Sequence, residues 1–585
     1  MKTILAILVL SYFSISNAQS SYWQQSVNYT INAEIKDKIN RVDGKESIVY
    51  QNNSPDTLHE IYLHLYWNSF KKDSHAFEDN KIGNPSGESF GEINIDSVTV
   101  DNIAYQINVY ESIGQIKLRR KIAPGASCIV KLNFNSIIPS CINRSGKENY
   151  EGIDFTFTQW YPKICRYDQM GWHTDPYFGR EFAGTFGKYQ VQITCDKSFV
   201  VAGTGQLIGK KYTKNAWVET GNDKPIKNQV TWKFFGENIH DFAFALNKDW
   251  LHKELQIDGI TFHFFYLQEG EKNWGNIIKN WPTAYQICKK EFGAYPYPQF
   301  SFIQAGEGYM EYPMCTMLES SFTSFHTACH EFMHNFFYGM YGTDENLYHW
   351  MDEGITCYAT ERISNVLAKV NNPTTDAKNS YLYAAAENNE EPISTAANHF
   401  KNDYAYYNAA YFKGQLFPEI IRYIVGDSIM KNGFAQYYSK WNFKHPDPND
   451  FVKCFENASN MELTWFQNYW LNTTQKIDFS IDSVYQNNEL HIKLFKHGIP
   501  MPVEFEIKLK NGETLFYYIP LDITNNKKID FNRTTKTLST WSSGSKSYEA
   551  VINGINLNAI ESIQLNPDQI LPDIDESNNF YTKTE

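Results

Sequence analysis

The chain has 585 residues, of which 42% are hydrophobic, 16% aromatic and 20% charged. These proportions exclude an intrinsically disordered protein, and at roughly 150 residues per domain the length predicts several domains. The 66 acidic residues outnumber the 53 basic ones. A chain this acidic lacks the basic surface that binds phosphate backbones, so we expect no nucleic-acid partner.

The first residues have the layout of a secretion signal. A positive start at residues 1–2 is followed by an apolar run at 4–10 and a small-residue cleavage site at 16–18. The run is shorter than the roughly 20 apolar residues that a spanning helix needs, and no later stretch is longer and equally apolar. We therefore predict a signal peptide over residues 1–18, export to the periplasm or the medium, and no membrane span.

The rest of the chain is predicted to be a multidomain α+β protein. Residues 19–250 alternate apolar and polar side chains in short runs, which predicts an N-terminal β-rich domain. Residues 251–475 are mainly helical in pattern, and the alternation returns in residues 476–585, where we predict a C-terminal β-sandwich domain. Within the helical part, helices are predicted at residues 274–292, 321–341, 353–369 and 410–424.

A metal-binding motif lies in the second of these helices. Residues 330–334 read H-E-x-x-H, with Ser320 or Ser321 as the predicted helix cap. His330 and His334 are one helical turn apart on the same face, so both imidazoles can reach one ion. Because chance alone gives on the order of 0.02 such motifs in a chain of this composition, the motif predicts a zinc site.

A catalytic zinc ion commonly takes a third protein ligand and keeps a fourth position for water. Glu353 follows His334 after eighteen intervening residues and lies on the next predicted helix, which makes it the predicted third ligand. His326, one turn before His330, is an alternative, but three histidines in line on one straight helix cannot surround a single ion. His349 is expected to cap the helix or to support the site without binding the ion.

Three motifs together resemble the gluzincin aminopeptidases of the M1 family, which also includes leukotriene hydrolases. The first is H-E-x-x-H followed by Glu353 within W-x-D-E-G. The second is G-Y-M-E-Y at residues 308–312, which is similar to the family's G-x-M-E-N substrate motif with Tyr312 in place of Asn. The third is Y-F-K-G at residues 411–414, similar to the Y-x-K-G segment that carries the family's catalytic tyrosine.

The resemblance implies a thermolysin-like catalytic domain with one zinc ion per chain, held by His330, His334 and Glu353. It also implies peptide substrates with a free N-terminus. Large members of the family carry a long helical domain after the catalytic domain, whereas this chain has a β-rich tail there. We therefore expect a more open active-site cleft than in those relatives.

Two side chains are expected to act on the substrate carbonyl. Glu331 is held beside the metal without binding it, so its carboxylate can take a proton from water and deliver it to the leaving amine. The oxyanion that forms needs hydrogen-bond donors, and the Tyr411 hydroxyl can supply one. Tyr404, Tyr406 and Tyr407 are alternatives for that donor, but Tyr411 stands in the Y-x-K-G segment.

Four further residues are expected to bind the substrate. A free α-amine is largely charged at pH 7, and the Glu311 carboxylate can pair with it and so restrict cleavage to the first residue. By resemblance to the family, Gln159 assists in holding the amine. The backbone of Gly308 and Tyr309 is expected to pair with the substrate as an added strand.

The leading hypothesis is therefore an exported zinc aminopeptidase that acts through a metal-activated water with Glu331 as general base. A zinc endopeptidase that ignores the substrate's terminus and an epoxide hydrolase use the same site and stay open as alternatives. An alternative of another class is a non-catalytic surface protein on an M1-like scaffold. The oligomeric state, the disulfide pattern and the preferred N-terminal residue are left open.

Overall fold

The structure is a computed structural model that describes residues 22–78, 90–141, 144–220, 228–305, 308–368 and 374–582. The predicted signal peptide lies outside the described residues. The predicted fold class is confirmed, because a strand-rich N-terminal part precedes a mainly helical region and further strands follow it. The precise domain limits at residues 250 and 475 stay predictions.

The largest sheet of the N-terminal part follows from alternating side chains. In the strand Ser26–Lys36 every second residue is buried, among them Val27 and Ile31. Only the strand pair Ser26–Lys36 and Gly187–Asp196 is parallel among the eight strands described for this sheet. In spatial order they are Gln206–Ile208, Gln229–Ile239, Gly187–Asp196, Ser26–Lys36, Arg41–Gln51, Ser127–Ile137, Glu92–Val100 and Ile103–Tyr105.

Smaller sheets complete the N-terminal part. Two have four strands each. The spatial order of the first is Val200–Gly203, Phe244–Asn247, Phe155–Phe157 and Gly146–Lys147. The spatial order of the second is Lys163–Ile164, Leu58–His64, Ile113–Ile122 and Asn108–Tyr110. Two are hairpins, formed by Tyr167–Asp168 with Gly171–Trp172 and by Lys210–Tyr212 with Trp217–Glu219. The Phe155–Phe157 strand is fixed to the next region because Thr156 Oγ1 donates a 2.6 Å hydrogen bond to the Ala305 carbonyl. This contact places Gln159 next to the predicted catalytic region.

A five-stranded sheet opens the predicted catalytic region. Its spatial order is Leu251–Ile257, Ile260–Tyr266, Gln299–Gln304, Cys315–Leu318 and Met310–Tyr312. The last strand lies at the edge and pairs antiparallel with Cys315–Leu318, so that Glu311 is opposite Thr316. An edge strand offers unpaired backbone groups to another extended chain.

Apart from a short helix at His75–Glu78, the described helices lie between residues 271 and 472, and the first of them joins the second and third strands of this sheet. They are Glu271–Phe292, Phe325–Phe337, Glu345–Ala368, Thr375–Ala386, Asp403–Tyr407, Gly414–Val425, Asp427–Trp441, Pro448–Ser459 and Thr464–Asn472. The segment Asn408–Lys413 is a π-helical turn, and short 3₁₀ turns occur at Asp37–Ile39, Tyr66–Phe70, Gln268–Gly270, Ala397–His399, Asp522–Thr524, Leu557–Ala559 and Glu576–Asn578. Among the helices in the described ranges, none combines the length and the apolar character that a membrane crossing requires.

Three helix limits differ from the prediction. The helix with the H-E-x-x-H motif begins at Phe325, and its cap is Ser324, whose hydroxyl accepts a hydrogen bond from the Thr327 amide; the predicted caps Ser320 and Ser321 are wrong. The helix predicted from residue 353 begins at Glu345 and has a kink at Tyr348, where φ is −130° and ψ is 43°. The helix predicted from residue 410 starts inside the π-helical turn.

The C-terminal strands form two sheets. One contains Phe479–Asn487, Glu489–Lys496 and Ser547–Ile552, and the other contains Thr535–Thr537, Thr514–Ile519, Val503–Leu509, Ile560–Leu565 and Phe580–Thr582. The strand Phe479–Asn487 of the first sheet contacts strands Ile560–Leu565 and Phe580–Thr582 of the second. Fully buried side chains such as Ile492, Phe505 and Ile563 form the core of this part.

Candidate active site

The two motif histidines project from one helix that is anchored by its apolar side. Phe332, Met333 and Phe336 are buried, and this fixes the rotation of Phe325–Phe337 about its axis. His330 and His334, four residues apart, then point the same way, and their Nε2 atoms are 3.0 Å apart. The predicted pair is therefore preformed.

Glu353 reaches the same point from the next helix, which runs close to the segment around Gly414. A Cβ added to Gly354 would lie 2.5 Å from the Gly414 carbonyl carbon, so this approach requires a glycine. Glu353 Oε2 is 3.4 Å from His330 Nε2 and 3.3 Å from His334 Nε2. The structure thus brings Glu353 to the two histidines, although eighteen residues separate it from His334 in the sequence.

The three atoms fit a zinc ion. Zinc bonds to imidazole nitrogen and carboxylate oxygen are about 2.0–2.1 Å long, so two corners of the coordination tetrahedron lie roughly 3.3–3.4 Å apart. The observed separations of 3.0, 3.4 and 3.3 Å are close to this value. Two imidazoles and one carboxylate are also a donor set typical of catalytic zinc.

Asp352 supports this site, and the sequence reasoning missed it. Its buried Oδ1 lies 2.5 Å from His334 Nδ1, so the carboxylate accepts the proton of that nitrogen and directs Nε2 toward the ion site. Although burial opposes it, the charges of Asp352 and Glu311 hold the pKa of His334 well above its ordinary range, so a bound ion takes the place of the Nε2 proton. The only sequence signal was that Asp352 immediately precedes the predicted ligand.

Replacing Asp352 with Asn should weaken zinc binding by about 10- to 100-fold, because His334 then loses the carboxylate that orients its ring. The measurement is zinc affinity in a competition with a chelator of known affinity. Glu361→Gln is the matched control, since Glu361 lies on the same helix and pairs with the exposed His326. Equal zinc affinities of Asp352→Asn and the control would contradict a supporting role.

Glu331 is buried beside the histidines, on the helix that carries them. Burial raises the pKa of its carboxyl to about 8, with the charge of Glu353 acting in the same direction. A bound divalent cation favours the ionised form, which is the form that accepts a proton. The Thr316 hydroxyl also stabilises the ionised form by hydrogen bonding.

Tyr411 lies in the π-helical turn Asn408–Lys413, a rare geometry that is frequent at functional sites. Its hydroxyl donates a hydrogen bond to Glu353 Oε1, and its ring stacks at 6.4 Å from the ring of His330. Burial and the charge of Glu353 raise the pKa of Tyr411 well above its ordinary value, so the hydroxyl keeps its proton. Of the alternatives, Tyr406 donates to Glu181 instead, and Tyr407 is half exposed.

Glu311 extends the site with two acids that the sequence reasoning missed. Glu311 Oε1 lies 4.0 Å from His334 Nδ1, and carboxylate oxygens of Glu181, Glu311 and Glu345 lie within 4.8 Å of one another. Glu345 is fully buried, and neither of its oxygens has a hydrogen-bond partner among the described residues. We call Glu181, Glu311 and Glu345 the acidic cluster. Arg144 approaches the cluster from one side, with its Nη1 4.0 Å from Glu181 Oε2.

The other predicted substrate-binding residues lie along the same edge. Gln159 is buried in the left-handed backbone region, with φ at 50°, and its Nε2 donates a 3.1 Å hydrogen bond to the Tyr312 hydroxyl. Gly308 has φ at 89°, and Tyr309 is 38% exposed, directly before the edge strand. Their contact with substrate stays a prediction.

The two other histidines near the motif lie outside the ligand group. His326 is exposed and its Nε2 pairs with Glu361 at 2.8 Å. His349 is buried, and its Nε2 lies 3.1 Å from the Thr395 carbonyl. It packs against Phe400 and Tyr406, so its role is to hold neighbouring segments together.

Comparisons with known proteins agree with this geometry. Residues 281–470 match the family model of the peptidase family M1 domain, a span that includes the three predicted ligands, Glu331 and Tyr411. No curated protein sequence matches the chain significantly.

Solved structures of low sequence identity share the fold. An M1 zinc metallopeptidase from Deinococcus radiodurans matches at 12% identity with a TM-score of 0.54, covering 77% of this chain and 93% of that one. A mutant of it, bound to a Tyr-Ser-Ala substrate, matches at 12% identity with a TM-score of 0.51 over 77% and 94% of the chains. A mutant two-domain M1 zinc metallopeptidase bound to L-tryptophan matches at 12% identity with a TM-score of 0.53, covering 77% of this chain and 95% of that one. Residues 281–470 therefore match a peptidase family M1 domain, and the chain is a zinc metallopeptidase.

Proposed function

We propose that this zinc metallopeptidase is an aminopeptidase, which removes the N-terminal residue from peptides. The observation that carries the proposal is the acidic cluster, which lies beside the predicted zinc ligands. Three carboxylates in one place, with burial raising the pKa of Glu311 and Glu345, form a site that gains by binding a cation. The similar peptidase that binds Tyr-Ser-Ala supports peptides as the substrate class.

The position of the cluster matches cleavage after the first residue. Within one amino acid the amine nitrogen and the carbonyl carbon are only about 2.5 Å apart. An amine held by Glu311 therefore keeps the first carbonyl near the predicted zinc ligands, since Glu311 Oε1 lies 4.0 Å from an atom of His334. A longer peptide bound N-terminally in this way cannot place its second carbonyl at the same point.

The reaction needs a nucleophile, a proton carrier and an oxyanion donor. Zinc held by His330, His334 and Glu353 would supply a water of lowered pKa and polarise the substrate carbonyl. Glu331 takes the proton of the attacking water and returns it to the leaving amine. The Tyr411 hydroxyl leaves Glu353 and donates its hydrogen bond to the oxyanion.

The edge strand offers the substrate a backbone to pair with. Met310–Tyr312 has a sheet neighbour on one side, Cys315–Leu318. The peptide backbone can pair with the other side, at Gly308 and Tyr309, and the amine held by Glu311 then sets the direction of the peptide.

One peptide in two forms tests the proposal. We expect N-acetylation to lower kcat/KM by about 30- to 4,000-fold, because removing one member of a buried charge pair costs roughly 2–5 kcal/mol. Glu311→Gln should lower kcat/KM for the free peptide and leave the acetylated one unchanged. Chelator-treated enzyme gives the background rate for both peptides.

Equal cleavage of the free and acetylated peptides would contradict the proposal. That result would assign the site to an endopeptidase, which uses the same zinc ligands and Glu331 without recognising the amine.

A further inference from the structure

A second group of metal-binding side chains lies on the first hairpin of the five-stranded sheet. Its strands are Leu251–Ile257 and Ile260–Tyr266, and their register places Glu254 directly opposite His263. His252 precedes Glu254 by two residues and therefore lies on the same face of the sheet. Ligand atoms of these three side chains lie within 4.8 Å of one another.

The two histidines are arranged as ligands of one ion would be. His252 Nε2 and His263 Nδ1 are 3.0 Å apart, close to the roughly 3.3 Å between two nitrogens bound to zinc. The His252 imidazole also makes a hydrogen bond to the backbone of Thr213. Hydrogen bonds of this kind orient the rings of metal-binding histidines.

A neighbouring aromatic side chain holds both rings in place. The Tyr212 ring contacts the two imidazoles, with ring centroids 5.1 Å from that of His252 and 5.5 Å from that of His263. These contacts limit the movement of both rings before an ion binds.

The surrounding charges leave Glu254 available. Lys253 pairs with Glu271, and Lys210 pairs with Glu219. Neither lysine therefore pairs with the Glu254 carboxylate. Glu254 is exposed, and together with His263 it lines a cavity of 310 Å³. Lys211 also lines this cavity, which favours an anion or a water molecule as a further ligand on that side.

We propose that His252, Glu254 and His263 bind a second divalent metal ion, distinct from the catalytic zinc. Two imidazoles and one carboxylate suit Zn²⁺, and the cavity leaves an open coordination position. All three ligands lie on the hairpin, so the ion would cross-link its two strands. Its expected role is to stabilise this hairpin, which the His252 amide already ties to the N-terminal part through a hydrogen bond to the Lys214 carbonyl. The alternative is a simple hydrogen bond between the two rings.

The test uses the full-length enzyme with its catalytic site already loaded and adds Zn²⁺ alone. Titration calorimetry should show one further ion per chain. Replacing the exposed Glu254 (Glu254→Gln) or removing one imidazole (His263→Asn) should each weaken this second binding by at least about tenfold, while turnover of peptide stays unchanged. Glu237→Gln is the matched control, since Glu237 is exposed on another strand and pairs with Lys188.

Two outcomes would overturn the proposal. The first is that the loaded wild-type enzyme binds no further Zn²⁺. The second is that it binds a further ion, which both variants bind with unchanged affinity. Thermal unfolding without added zinc checks that the variants are folded, and Glu254→Gln keeps the test valid if His263→Asn destabilises the hairpin.

Discussion

Glu331→Gln should lower kcat by about 10²- to 10⁴-fold and leave zinc binding intact, because the amide has nearly the same shape but cannot accept a proton. The three predicted ligands keep their positions, since the contacts that join their ligand atoms are made among His330, His334 and Glu353 themselves. A structural role for Glu331 would give a different result. Loss of its buried carboxylate would then lower the thermal stability and the zinc content together.

The measurement is therefore threefold: zinc per chain, melting temperature and turnover of an unmodified peptide. Glu361→Gln is the control. It removes a carboxylate on the neighbouring helix, and that carboxylate pairs with the exposed His326 and not with the zinc ligands. Retention of wild-type turnover with zinc bound would remove Glu331 from the mechanism.

The ligands could be predicted because each depends on local regularity. His330 and His334 need only a straight helix, and the sequence shows one by its apolar spacing. Glu353 could be predicted as the third ligand because it stands in W-x-D-E-G, which resembles the corresponding motif of the family. The helix starts were less predictable. Several serines precede the motif, and only the extended backbone of Ser324 decides which of them is the cap.

The acids around the ligands could not be predicted, because long-range packing brings them together. Glu345 belongs to the helical turn before the kink at Tyr348. The kink itself contains no proline or glycine that would have predicted it. Glu181 comes from the N-terminal part, far away in sequence, yet its carboxylate approaches those of Glu311 and Glu345. Asp352 is adjacent to a ligand, but whether a neighbouring side chain turns toward or away from the ion depends on the helix's contacts.

Tyr312 shows how a departure from the family pattern is accommodated. The motif position usually holds Asn, and the larger ring stacks 6.0 Å from Phe182 while its hydroxyl meets Gln159. Gln159 takes a left-handed backbone to make this contact. Tyr312 therefore adds contacts next to Glu311, with Phe182 and Gln159. The Glu311 side chain stays buried at the edge of the sheet.

Tyr411→Phe should lower kcat by about 10²- to 10³-fold, which corresponds to about 2.7–4 kcal/mol of lost oxyanion stabilisation. Phe keeps the ring that stacks on His330, so the fold of the π-helical turn is retained. The hydroxyl also bonds to the second oxygen of Glu353, and its loss affects zinc affinity as well. Turnover is therefore compared at saturating zinc, where the remaining difference reports the transition state.

Tyr407→Phe is the control for this substitution, because its half-exposed ring lies 5.5 Å from that of Tyr411. It should behave as wild type. If Tyr411→Phe also kept full kcat at saturating zinc, its hydroxyl would serve only to orient Glu353. Tyr406 would then be the next tyrosine to test, since its hydroxyl bonds to Glu181 of the acidic cluster.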